Sequence, residues 1–324
     1  MSEEGPPVLY MAPVMGITDS AYRCVYDQFF SGYDVTIAPF IVSCAGGKIK
    51  STHLRKILPE RNIFKFKLIP QILGKNADDF IVLAKAMFDL GYDTVNWNLG
   101  CPILKVQKKM RGSGLLPHPD IIAQLLDKII PKIPNKLSIK VRLGAEDPGD
   151  LVRLLPALNP FPLEEIIIHA RTGKQLYTGD VDISAFENCL GLSQHDLVYN
   201  GDINSLKNFN MLKERFPMIN RWMIGRGGII NPFLPEQIKE GSVFSSQQKR
   251  LKFIAFHGAL FSAYQQELNG PAHILSKMKE VWFYWQQAFK NGKKIYKKIC
   301  ITKCSDKYLS IVDMFLKNNP IWLI

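Results

Sequence analysis

The stretch VNWNLGCPILKV, residues 95–106, alternates apolar and polar side chains and then breaks at Gly100-Cys101-Pro102. Alternation with period two reads as a strand, and the glycine and proline read as the sharp turn that ends it. What arrives at the end of this strand is polar: Asn98, then a thiol where the backbone bends. A cysteine kept for packing sits among aliphatic neighbours inside an element. Cys101 opens a loop instead, which makes it a candidate reagent rather than a filler.

Seven further segments have the same character. VLYMAP (8–13), DVTIAPF (34–40), FKLIPQIL (66–73), LSIKVRLG (137–144), EIIIHAR (165–171), DLVYNGD (196–202) and WMIGRGG (222–228) read as strands alongside 94–100. Helical patterns such as 76–91 and 118–130 lie between most of them. Eight parallel strands with helical crossovers over about 240 residues fit a (β/α)8 TIM barrel better than a doubly wound sheet. In such barrels the polar C-terminal strand ends face the active site. Here those ends carry Met11-Ala12-Pro13, Gln71, Asn98, Cys101, Lys140, Arg142, His169, Arg171, Asn200-Gly201-Asp202 and Gly225-Arg226-Gly227-Gly228. So many polar ends on one rim would make a poor core and a good site.

After Pro235 the pattern changes. GSVFSSQQKR (241–250) reads as a polar linker, and helical periodicity follows to the end. The expected organisation is a catalytic barrel over 1–241 and a small helical domain over 242–324. In the latter, Trp282, Trp285 and Phe289 have core spacing, while Lys293, Lys294, Lys297 and Lys298 crowd a short stretch.

Composition narrows the class. The chain has 324 residues, 47% of them hydrophobic, and a formal charge of +12. Between Lys249 and Lys317 there are 13 basic and 4 acidic residues, so most of the excess lies in the last quarter. A basic face of this kind meets phosphate backbones. No apolar run reaches the roughly 18 residues that span a bilayer, and the acidic start MSEEGPP has no signal-peptide layout. Six cysteines without a CxxC pair read as free thiols of a reducing cytoplasm, with Cys24, Cys44 and Cys189 as packing residues. Cys300 and Cys304 lack the partners that a metal site needs.

Two constellations carry the chemistry. Gly201, Gly225, Gly227 and Gly228 with Arg226, at the ends of strands seven and eight, read as a phosphate cradle. That phosphate belongs to FMN or to a phosphorylated sugar. Lys140 and His169 pointing inward, with Gln71, favour a flavin ring, which needs donors at its pyrimidine edge and a cation near N1. The basic, glycine-rich KKMRGSGLL (108–116) after Cys101 reads as a flexible loop able to close over the site. A thiol of ordinary pKa stays protonated at neutral pH and can act as a general acid.

These motifs resemble, in order and spacing, those of the tRNA-dihydrouridine synthases: APVMGITDSAYR (12–23), QILG (71–74), NWNLGCP with KV (96–106), GSGLL (112–116), IKVRLG (139–144), HARTGKQLYTG (169–179), YNGDI (199–203) and IGRGGIINP (224–232). The resemblance implies a flavoenzyme that reduces a D-loop uridine of tRNA, with NADPH recharging FMN. It places Cys101 as the acid that protonates carbon 5 of a flipped-out uracil, Asn98 as the residue that holds this base, and Arg171 toward the substrate. FMN contacts fall by match on Met11, Ala12, Pro13, Gln71, Lys140, His169, Asn200, Gly201, Asp202, Gly225 and Arg226. The basic tail would grip the tRNA through Lys293, Lys294, Lys297 and Lys298, and a monomer without a protein partner would suffice. Three places depart from the pattern: Pro39 stands for a glutamate, Gly173 for a basic residue, and Gly227-Gly228 for an alanine pair. The competing expectations are an FMN barrel acting on a free pyrimidine and a non-catalytic RNA-binding scaffold.

Overall fold

A computed structural model describes residues 5–49 and 51–324. Ten strand segments, all paired in parallel, form one sheet: β1 (Val8–Met11), β2 (Val35–Ile37), β3 (Ile41–Val42), β4 (Lys67–Ile69), β5 (Gln71–Leu73), β6 (Thr94–Leu99), β7 (Lys136–Arg142), β8 (Leu163–His169), β9 (Leu197–Asn200) and β10 (Arg221–Ile224). The order is β3-β5-β6-β7-β8-β9-β10-β1-β2-β4. The expected second and third strands are each present as two pieces, broken at Pro39 and at Pro70. Proline has no N–H to give a ladder, so the hydrogen bonding steps across these points. The carbonyl of Pro70 still accepts from Asn96 N–H at 2.9 Å. Because β2 pairs with β4 while β3 pairs with β5, the broken strands close the sheet on itself. Eight barrel positions result, as the alternation predicts.

The period of two then assigns each side chain a side. Tyr10, Val35, Ile37, Ile69, Ile167, Val198 and Met223 meet inside the barrel. Val95, Trp97, Leu99, Ile139, Val141, Ile166 and Ile168 belong to the larger core beneath the surrounding helices. The same alternation points Met11 outward. Its side chain packs with Tyr22, Tyr26 and the C-terminal helices.

The C-terminal segment is docked rather than tethered. Its helices are Ser246–Glu267, Pro271–Trp285, Gly292–Cys300 and Ser305–Lys317. Phe253, Phe256, Trp282, Trp285 and Tyr308 share one buried cluster with Tyr22, Tyr26, Phe30 and Phe233 from the barrel. The Phe256 ring stands edge-on to Tyr22 at 5.9 Å and to Phe30 at 5.0 Å. Ion pairs Lys277–Asp19 (2.8 Å) and Arg61–Glu267 (2.7 Å) sit at the seam. Half of the expected linker is helix. Ser245 accepts from Gln248 N–H, and the Gln248 side chain reaches back to the Ser245 N–H, so the stretch 245–248 is a capping box. Among the described residues no helix is long and apolar enough to cross a membrane.

Candidate active site

Cys101 sits in a turn that the protein holds from two sides. The Asn98 side-chain oxygen accepts from the N–H groups of Gly100 (3.1 Å) and Cys101 (2.9 Å). From beyond the turn, the Ser113 N–H and hydroxyl both donate to the Cys101 carbonyl, at 3.1 and 2.9 Å. The stretch expected to be a flexible lid is therefore folded back and packed: Leu115 and Leu116 are fully buried, and Gly112-Ser113 rest on the cysteine. Cys101 is itself buried, and burial raises its thiol pKa, opposed by the Ile103 N–H and Arg142. The thiol holds its proton at neutral pH.

Beside the turn lies a cationic floor. Lys140, Arg142, Arg171 and Arg226 face one carboxylate, Asp202, across one cavity. Lys140 Nζ donates to Asn200 Oδ1 at 2.9 Å and forms no ion pair among the described residues. Burial, with help from Arg142, pushes its pKa down to about 7. Burial and the surrounding cations, Arg142 first, hold His169 well below the ordinary imidazole value, so it is neutral at pH 7. Burial works to raise the Asp202 carboxyl, but Arg171 and Arg226 outweigh it and keep the group ionised. Arg226 donates to Asp202 Oδ1 at 2.8 Å, and Arg171 binds the same carboxylate and the Gly179 carbonyl (2.6 Å). Arg142 donates to the Gly100 carbonyl at 3.0 Å, tying the floor to the cysteine turn. Buried positive charge with a single counter-ion is a site for an anionic ligand.

The cavity has a volume of about 1050 Å³ and opens at the C-terminal rim of the strands. Its walls include Pro13, Asn98, Cys101, Lys140, His169, Arg171, Asp202 and Arg226. A smaller recess continues it past Ala12, Asn200, Gly201 and Gly225. Phe283, Tyr284 and Gln287 complete the wall from the C-terminal helices. Sequence reading missed these three. With Trp282 and Trp285 facing inward, Phe283 and Tyr284 had to lie on the opposite phase of the helix, but only docking shows that this phase meets the cavity.

Other expectations shift. Met11 turns away, as described above. Gln71 is fully buried and lies off the cavity walls, donating to Asn96 Oδ1 (2.7 Å) and accepting from Asn98 Nδ2 (2.8 Å). Asn98 lines the cavity, yet its oxygen is committed to the cysteine turn. Arg171 lines the cavity with its guanidinium already paired. Gly227 lines the smaller recess, and both glycines are required by packing: a methyl on Gly227 would lie 2.0 Å from the Ile203 carbonyl, and one on Gly228 would lie 2.1 Å from the Tyr33 hydroxyl. The Gly227-Gly228 departure thus answers Ile203 and Tyr33. Gly173 likewise leaves room for the pair formed by Gln107 and Ser113. Cys189 is buried, but Cys24 and Cys44 are only half-buried. Lys293, Lys294, Lys297 and Lys298 are exposed, on a helix whose Tyr296 ring lies 6.1 Å from Phe283 on the cavity wall.

Likeness to known proteins tells what this site belongs to. Residues 10–307 match the family model described as dihydrouridine synthase. The chain belongs to the dihydrouridine synthase family. It is therefore a flavin-dependent oxidoreductase that forms dihydrouridine in tRNA, rather than a free-pyrimidine enzyme or an inert scaffold. Among its relatives are tRNA-dihydrouridine synthase B of Pasteurella multocida, 25% identical with 70% of this chain and 67% of the relative covered. The tRNA-dihydrouridine(16) synthase of Neisseria meningitidis is 27% identical, covering 72% and 71%. A probable tRNA-dihydrouridine synthase of Staphylococcus aureus is 28% identical, covering 82% and 81%. Solved structures similar in fold include morphinone reductase (TM-score 0.54, 11% identity, covering 76% of this chain and 92% of that one). The old yellow enzyme from Trypanosoma cruzi is another (TM-score 0.53, 10% identity, covering 73% and 89%). In this dihydrouridine synthase the cysteine turn and the cationic floor share one chamber.

Proposed function

We propose that this synthase binds FMN on the cationic floor, accepts reducing equivalents from NADPH, and reduces a D-loop uridine of tRNA with Cys101 as the general acid. The observation that carries this reading is the shared cavity, which Cys101, Lys140 and His169 line together.

The residues fit the cofactor by the chemistry of their donors. Lys140 offers an amine that a neighbouring anion would keep protonated, and His169 and Asn200 offer neutral donors, suited to a flavin's polar edge. Gly201 and Gly225 line the recess with backbone, and Arg226 brings charge, for its phosphate. A methyl on Gly225 would meet only the Ala12 Cβ, at 3.6 Å, so a flat group can lie against this backbone. When bound, the flavin supplies hydride to carbon 6 of uracil. The protein's own share is the proton. Cys101 keeps its thiol protonated through burial and delivers the proton to carbon 5. The base leaves its stack to enter a chamber of this depth. The lysine face beside Phe283 grips phosphates of the folded tRNA. Six unpaired thiols accord with a reducing cytoplasm.

The test uses tRNA from cells lacking this gene, the purified protein and NADPH, with dihydrouridine mapped along the product. A new dihydrouridine at one D-loop position is the expected result. A yellow protein that consumes NADPH and leaves tRNA unchanged would overturn the substrate assignment.

A further inference from the structure

One half of the barrel interior is largely apolar, built from Ile37, Ile69, Ile167, Val198 and Met223, with one polar group of its own in which Tyr10 and Arg221 both donate to Glu165. The other half carries a run of hydrogen-bonded side chains that ends at the cysteine turn. Asn96 Nδ2 donates to Ser138 Oγ at 2.7 Å, and Gln71 Nε2 donates to Asn96 Oδ1 at 2.7 Å. Asn98 Nδ2 donates to Gln71 Oε1 at 2.8 Å, and Asn98 Oδ1 accepts the N–H of Cys101 at 2.9 Å. Ser138, Asn96 and Gln71 have no exposed surface.

The direction of this run is dictated from the turn. Backbone N–H groups only donate, so Asn98 must offer them its oxygen and point its nitrogen at Gln71. Gln71 must then offer oxygen to Asn98 and nitrogen to Asn96, and Asn96 turns its own nitrogen to Ser138. Reversing any one carboxamide sets donor against donor or acceptor against acceptor. In a dry interior, unmatched groups are costly and a matched network specifies one geometry. Aliphatic side chains are the usual filling at this level of a barrel, so polar residues here call for a reason.

We propose that Asn96 is a positioning residue for proton delivery by Cys101. Acting through Gln71 and Asn98, it locks the 98–101 turn in the one conformation that presents the thiol to the chamber. Asn96 lines neither recess of the cavity. The inference rests on the reading of Cys101 as the acid.

The test uses the flavin-loaded enzyme. Asn96→Leu keeps the branching of the side chain and removes both its hydrogen bonds, so Gln71 loses its second partner and is held by Asn98 alone. Iodoacetamide alkylation of Cys101, followed by mass spectrometry of its peptide, should become about tenfold faster, and tRNA reduction by the pre-reduced enzyme about tenfold slower. Flavin reduction by NADPH should stay within about twofold. Asn96→Asp, which retains an oxygen facing Gln71, should restore slow alkylation. In a Cys101→Ala background, Asn96→Leu should leave the residual tRNA reduction unchanged, because both act on one step. Alkylation at the wild-type rate, or an equal further loss in the Cys101→Ala background, would overturn the proposal. Where Asn96→Leu does not fold, Ser138→Ala is read in the same way, and no acceleration of alkylation there overturns it too. Full tRNA reduction by Cys101→Ala alone would overturn the acid reading, and this is distinguishable because the alkylation result does not depend on it.

Discussion

Gly112 lies directly against Cys101: a methyl added to Gly112 would stand 2.8 Å from both the Cβ and the carbonyl oxygen of the cysteine. Its φ of +56° is a left-handed conformation that a side chain disfavours. Gly112→Ala therefore meets strain and overlap together, which should destabilise the protein by roughly 2 kcal/mol or more. The turn would give way first, so tRNA reduction should fall by a larger factor than flavin reduction. Thermal unfolding and the two half-reactions, measured separately, check this.

Cys101→Ala should still oxidise NADPH while slowing tRNA reduction by about 10²- to 10⁴-fold, the usual weight of a general acid. The pH profile carries a second signature. Burial raises the thiol pKa, so the acid form persists through neutral pH and is lost only as pH rises through the raised value. The rate of tRNA reduction by pre-reduced enzyme should fall on that alkaline limb, above the usual thiol range. Cys101→Ser should lack this limb, because a hydroxyl does not ionise there. An identical limb in the serine variant would assign it to another group.

Lys140 links the floor to stability. Its pKa is about 7 in the folded protein against an ordinary 10.5. Between these values the unfolded chain holds a proton that the folded chain has released, so stability of the flavin-free protein should rise with pH across that window. Lys140→Met should be more stable than wild type at pH 7 and should lose this part of the pH dependence. Urea unfolding of both proteins from pH 7 to 10 gives the difference directly. A bound anion beside Lys140 should shift the window upward.

The four exposed lysines on the Gly292–Cys300 helix have no ion-pair partner among the described residues. Reversing all four to glutamate should weaken tRNA binding and reduce the slope of log affinity against log salt by about 3, at roughly 0.7–0.9 for each phosphate no longer neutralised. An unchanged slope would make the cluster solvated surface.

Much of the site was legible because a barrel converts sequence alternation into position. Once residues 94–99 read as a strand, Asn96 and Asn98 had to share a face, and the glycine and proline at 100 and 102 had to end it. The same rule, applied one residue earlier, would have turned Met11 away from the site. The S-x-x-Q pattern at 245–248 would likewise have shown that the linker was half helix. Those signals were local and available.

Other features had no local signal. Gln71 and Asn98 were polar residues on inward faces, and their types alone allow them to bind a ligand as well as each other. Which it is depends on register between strands 25 residues or more apart in sequence, and register is settled only when Pro39 and Pro70 break two strands and the sheet closes. Phe283, Tyr284 and Gln287 join the cavity because the aromatic face of the C-terminal helices docks on Tyr22, Tyr26 and Phe30. Strand faces, the cysteine turn and the basic helix were written in the chain, since each follows from the period of its own segment. Which polar groups spend their hydrogen bonds on one another, and which remain for a ligand, was settled only in three dimensions, because a hydrogen bond is satisfied by proximity and not by residue type.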